Sequence, residues 1–155
     1  PEFYYAWHND SIQTLEKQVV DILSQLQPTD KAHPIPIDAY PLENETDKEE
    51  IAQEICNQIY QQLFPENDNI PTVNNASQLK RLIPQIKTHL NAQNIAFILQ
   101  NCEPNPSLIK FCHKLTNAVS IACLTDAPLE PPLRGFPPNQ PNLKSALETW
   151  LNELE

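Results

Sequence analysis

Ile95-Ala96-Phe97-Ile98-Leu99 is apolar at every position. A strand covered on both faces reads that way, so this run predicts the middle of a parallel sheet. Ala118 to Leu124 predicts a second buried strand by the same pattern. Ile35-Pro36-Ile37-Asp38-Ala39-Tyr40 predicts a third, at a sheet edge, because Pro36 removes a ladder donor. Aromatic Tyr4-Tyr5-Ala6-Trp7 predicts a short opening strand.

Between these runs the apolar positions switch to helical spacing. Ile12, Leu15, Val19, Ile22, Leu23 and Leu26 share one face, and Pro28 stops the run. Thr46-Asp47-Lys48-Glu49 reads as a capping box that opens a helix carrying Ile51, Ile55, Ile59 and Leu63. Glu66 to Asn75 is a polar linker. Leu79, Leu82, Ile83, Ile86 and Leu90 form a further helix with a kink or broken turn expected at Pro84. Asn105 and Pro106 start a helix with Leu108, Phe111, Cys112 and Leu115 on its face. From Pro128 to Pro141 there are six prolines, which predicts an extended surface loop. The last helix begins near Asn142 and carries Leu143, Leu147, Trp150 and Leu151. Strands alternating with helices predict an α/β fold: a mostly parallel sheet of about four strands, flanked by helices on both faces.

Composition narrows the function. The chain has 155 residues and a single glycine, Gly135. Phosphate-binding loops need several glycines, because backbone N–H groups must close on an anion. Neither a Walker A loop nor a dinucleotide fingerprint can be written from this sequence. Ten Lys+Arg against twenty Asp+Glu give a formal charge of −10, which argues against nucleic acid and anionic membranes as partners. No apolar run reaches the roughly 18 residues of a membrane helix. Cys56, Cys102, Cys112 and Cys123 form no C-x-x-C pair and fit no common zinc spacing, so reduced thiols, no metal and a cytoplasmic home are expected. The chain has no methionine, and Pro1-Glu2-Phe3 reads as a cloning scar. Residues 4–155 are therefore expected to be a single domain excised from a larger multidomain protein.

Ligands in such sheets bind beyond the carboxyl ends of the strands. Those ends offer His8, Asn9, Asp10 and Ser11; then Asp38 and Tyr40; then Gln100, Asn101, Cys102 and Glu103; then Thr125 and Asp126. Asp10 and Ser11 also have good helix-cap chemistry. In the proline-rich segment, Leu133, Arg134 and Phe136 are candidates for a partner-docking loop, because proline lowers the ordering cost of binding.

This layout resembles the nucleotide-binding core of STAND-class P-loop ATPases, and most of all the degenerate members called inactive STAND domains. Gln100-Asn101 stand where that class has its Mg²⁺-binding acid, Thr125 matches its sensor position, and His8 to Ile12 occupy the place of its phosphate loop without the Gly and Lys. The resemblance implies a non-catalytic interaction or regulatory module, without cofactor, in a bacterial multidomain signalling or conflict protein. Its partners would be another protein or flanking domains of the same polypeptide. Two alternatives remain open on the residues. A TIR-like NAD-cleaving domain shares the opening strand, turn and helix but would need a well-placed Glu. A receiver-like domain would need an Asp where the central strand ends in Gln100-Asn101.

Overall fold

A computed structural model describes residues 19, 21–66, 69–100 and 105–154. Four parallel strands form one sheet: β1 (His33–Asp38), β2 (Ile95–Gln100), β3 (Ser120–Leu124) and β4 (Arg134–Phe136). They lie in the order β1-β2-β3-β4, and every pairing is parallel. Ile95 to Leu99 are all buried, as a central strand requires.

Alternate side chains of each strand point to opposite faces. On one face Ile35, Ile37, Phe97, Leu99, Ile121 and Cys123 meet four helices. These are α1 (Lys48–Leu63), α2 (Ala76–Lys80), α3 (Ile83–Leu90) and α4 (Pro106–Leu115). On the other face Ala96, Ile98, Ala122, Leu124 and Phe136 pack against Leu23 of a helical segment at 21–25, against Val19 and Leu26 on either side of it, and against α5 (Leu143–Glu153). Helices therefore flank both faces of the sheet.

Local chemistry explains the element ends. α1 is capped by Asp47, whose carboxylate accepts the Glu49 N–H at 2.9 Å. The cap thus falls one residue later than the box read from Thr46. Asn75 caps α2 by accepting the Gln78 N–H at 2.9 Å. The helix expected across Pro84 is broken: α2 ends at Lys80, α3 begins at Ile83, and Pro84 sits in the first turn where no N–H is needed.

One expectation fails. The proline-rich segment is not only loop: it holds β4, which pairs with β3 and buries Leu133 and Phe136. The expected strand Tyr4–Trp7 lies outside the described residues.

The free edge of β1 is closed by its own sequence. His33 and Ala39 donate their N–H groups to the carbonyls of Asn94, just before β2, and of Gln100 at its end. Alternation then turns the even positions outward. Pro34 and Pro36 occupy two of them, where a missing N–H costs the sheet nothing. Gln62 Nε2 donates to the Pro36 carbonyl at 2.8 Å. One helical turn earlier, Gln58 Oε1 accepts the Asp38 N–H and its Nε2 donates to the Asp38 carbonyl, both at 2.7 Å. Two glutamines of α1 thus stand in for a neighbouring strand, a device against edge-to-edge association. Gln58→Ala removes both bonds to the Asp38 backbone and is expected to cost about 1–3 kcal/mol in urea unfolding. An unchanged midpoint would show that water replaces the clamp at no cost.

Candidate functional site

Parallel registration brings the strand ends together. Asp38 lies opposite Gln100, and Ala39 N–H donates to the Gln100 carbonyl at 2.8 Å. Leu124 lies opposite Phe136 in the same row of the sheet. Of the residues singled out at the strand ends, Asp38, Tyr40, Gln100, Thr125 and Asp126 are among the described residues. His8, Asn9, Asp10, Ser11, Asn101, Cys102 and Glu103 lie outside them.

Asp38 accepts the Tyr40 N–H on Oδ1 at 3.0 Å, which turns the chain into a 3-10 turn at Tyr40–Leu42. Tyr40 itself is 65% exposed, the one large exposed hydrophobic side chain among the described residues. Thr125 is buried; its hydroxyl accepts the Ala127 N–H at 3.1 Å, and its own N–H donates to Phe136 at 2.9 Å. That hydroxyl shapes the turn from β3 towards β4. Asp126 is exposed just beyond it. Gln100 Oε1 is a buried acceptor without a hydrogen-bond partner among the described residues.

A cleft of about 380 Å³ opens beside Asp38. Pro41, Glu54, Gln58, Gln61 and Gln62 line the rest of it. Gln58 Nε2 also donates to Glu54 Oε1 at 3.0 Å, so the side chains run Glu54, Gln58, Asp38 in one chain of hydrogen bonds. Among the described residues the lining offers two carboxylates and three amides, and no cation. Like charge there opposes a phosphate. The amides were invisible to sequence reading, which saw only the polar face of a helix. Their i, i+4 spacing opposite a Pro-x-Pro strand is the signal that could have found them.

The proposed docking loop divides. Leu133 and Phe136 are core residues, 2% and 5% exposed, while Arg134 is exposed with its guanidinium 5.2 Å above the Phe136 ring. Phe136 also meets Trp150 edge-on, with centroids 6.0 Å apart. Gly135 keeps an ordinary backbone conformation. It is glycine for room: a Cβ would stand 3.2 Å from the Ala127 carbonyl oxygen.

Cys56 and Cys112 are buried free thiols. Burial pushes the Cys56 thiol up to about 11. Burial, and then the nearby Cys123, raises Cys112 further. Such thiols are poor nucleophiles at neutral pH. Among the described residues, no group of three His, Cys, Asp or Glu is placed to hold a metal ion, and no helix is long and apolar enough to cross a membrane.

The family model for NACHT C-terminal Alpha/Beta 1 domains matches residues 12–154. The chain belongs to that family. No curated protein and no solved structure matches it. Membership associates this NACHT C-terminal α/β domain with NTPases of the NACHT and STAND type, the class that its layout resembles. It also fits a multidomain parent, since the family is named for its place relative to NACHT. Among the described strands the order never reverses. The crevice at which doubly wound sheets hold dinucleotides forms where strand order reverses, so these strands do not make one.

Proposed function

We propose that this NACHT C-terminal α/β domain is a non-catalytic interaction or regulatory module, acting on flanking domains or a protein partner of a multidomain signalling protein. The strand ends carry the reading. Their described side chains are amides, hydroxyls and carboxylates, with no lysine or arginine in the cleft beside Asp38. A triphosphate there meets negative charge and no cradle of glycine N–H groups. The acid-to-amide change at Gln100-Asn101 removes the hard oxygen anchor that Mg²⁺ prefers. The domain is thus a degenerate relative of the nucleotide-binding sheets it resembles. The bacterial setting follows the same resemblance. The reduced thiols of Cys56 and Cys112 suit a cytoplasmic home.

Titration calorimetry with ATP, ADP and GTP in Mg²⁺ buffer tests the nucleotide half. The expected result is no binding up to millimolar nucleotide, and micromolar affinity for any of the three overturns the reading. The regulatory half is tested in the parent protein, where removing this domain is expected to change NTPase rate or assembly several-fold.

A further inference from the structure

We propose, resting on the regulatory reading above, that the cleft between α1 and Pro41 takes an arginine side chain presented by a flanking domain of the same polypeptide. The glutamine clamp decides what this cleft can bind. Gln58 uses both ends of its amide on the Asp38 backbone, and its Nε2 also reaches Glu54 Oε1. Gln62 uses its Nε2 on the Pro36 carbonyl. The hydrogens of both clamping amides are thus committed to the sheet edge and to Glu54. What remains is oxygen. Glu54 keeps its second carboxylate oxygen and Gln62 its side-chain carbonyl, and neither has a hydrogen-bond partner among the described residues. Glu54, Gln58 and Gln62 follow one another at i, i+4 and i+8, so these acceptors lie in one line along α1.

A partner must therefore bring donors and positive charge. A guanidinium brings five N–H groups in a flat fork and no acceptor. An ammonium is a point charge on a flexible stem, and it is more strongly hydrated. Acceptors spread along a helix suit the fork. Glu54 is half-buried, which weakens the screening of its charge by salt. Tyr40 supplies a second contact. Asp38 holds its N–H, its neighbour Pro41 lines the cleft, and its side chain is 65% exposed. Guanidinium planes stack on aromatic rings, and both residue types are enriched at interface cores.

Tethering selects the occupant. The family is named for its place relative to NACHT, so a neighbouring domain of the same polypeptide is held close to this one. One arginine in an open cleft of about 380 Å³ is a weak contact between separate molecules. A short linker raises the effective concentration into the millimolar range, where a weak contact fills.

Titrating the ¹⁵N-labelled chain with acetyl-Gly-Arg-Gly-amide tests the cleft. The backbone amide of Tyr40 and the side-chain amides of Gln61 and Gln62 are expected to shift and to saturate. The affinity is expected to be at least about threefold above that of acetyl-Gly-Lys-Gly-amide. Glu54→Gln keeps an oxygen for Gln58 and removes the charge. It is expected to weaken binding about threefold or more, and Tyr40→Ala by a similar factor. Glu148→Gln removes the same charge from the exposed surface of α5, across the sheet, and is expected to change nothing. In the purified parent protein, a photo-crosslinker in place of Tyr40 is expected to join this domain to an arginine-bearing segment of the same chain. Four results overturn the proposal: no saturable shift at these groups, a lysine peptide that binds as well, equal losses from Glu54→Gln and Glu148→Gln, or a cross-link that is absent or reaches a second chain. A chain that ignores both ATP and the arginine peptide loses this cleft and keeps the non-catalytic reading.

Discussion

Truncating Phe97 to alanine is expected to destabilise the fold by about 3–5 kcal/mol. Phe97 sits in the middle of the central strand and is 1% exposed. Its register partners Ile35 and Ile121 flank it on the same face. Helices cover that face, so no water reaches a cavity left there and the neighbours collapse only in part. A small domain holds roughly 5–15 kcal/mol in all. The variant is therefore expected to be marginal at 25 °C and to show a urea midpoint well below that of the parent chain. Phe97→Leu conserves most of the volume and should cost less than about 1.5 kcal/mol. A loss under about 1 kcal/mol for Phe97→Ala would mean that the two layers can close over the gap, and that the sheet is not the rigid floor of the strand-end site.

The central strand was legible because burial on both faces erases alternation, and Ile95 to Leu99 carry that mark undiluted. The edge position of β1 was legible because a proline inside a strand has few tolerable places, and Pro36 takes one. Asn105-Pro106 announced α4 through cap chemistry that acts within four residues. β4 was not legible. Arg134-Gly135-Phe136 has no apolar run, no β-branched residue and prolines on both sides. What makes it a strand is pairing with β3 and the packing of Phe136 on Trp150, both set by tertiary structure rather than local propensity.

The strand-end site divides in the same way. A parallel sheet puts Asp38 and Gln100 in one row whatever their neighbours are, so topology alone named them. The glutamine clamp on the β1 edge was hidden because it joins a side chain of α1 to backbone twenty residues earlier. Nothing in local sequence distinguishes such a glutamine from a solvated one. Two of the three residues that proline seemed to offer for docking are core, and two apolar residues three apart in a loop carry no periodic signal. The same lack of period is why Leu133 and Phe136 read as exposed.

Asn105→Asp is expected to cost about 2–4 kcal/mol at pH 7, more than Asn105→Ala at about 1–3 kcal/mol. As helix caps, Asn and Asp are nearly equal, and a carboxylate gains a little at a helix N-terminus. The cap bond itself survives in Asp, because Oδ1 accepts the Leu108 N–H at 2.8 Å. The other end of the side chain decides the outcome. Asn105 Nδ2 donates towards the carbonyls of Leu42, Glu43 and Glu45 at 3.0, 3.1 and 3.3 Å. It thereby ties the start of α4 to the turn that follows β1, across the strand ends. Aspartate puts an anionic oxygen among three carbonyl oxygens, and none of them has a proton to give. Alanine leaves the carbonyls to water, which can reach this half-buried site. Protonating the new acid restores one donor. The carbonyls disfavour the ionised form, so the excess cost of Asp over Ala should shrink as pH falls from above the usual carboxylate range and be gone below about 4. Paired urea titrations of both variants and the parent chain, at pH 7 and at about pH 4, separate the two halves of the side chain. Equal stability of Asp and parent at pH 7 would show that the three carbonyls hold nothing, and that the strand-end turn is fixed by Asp38 alone.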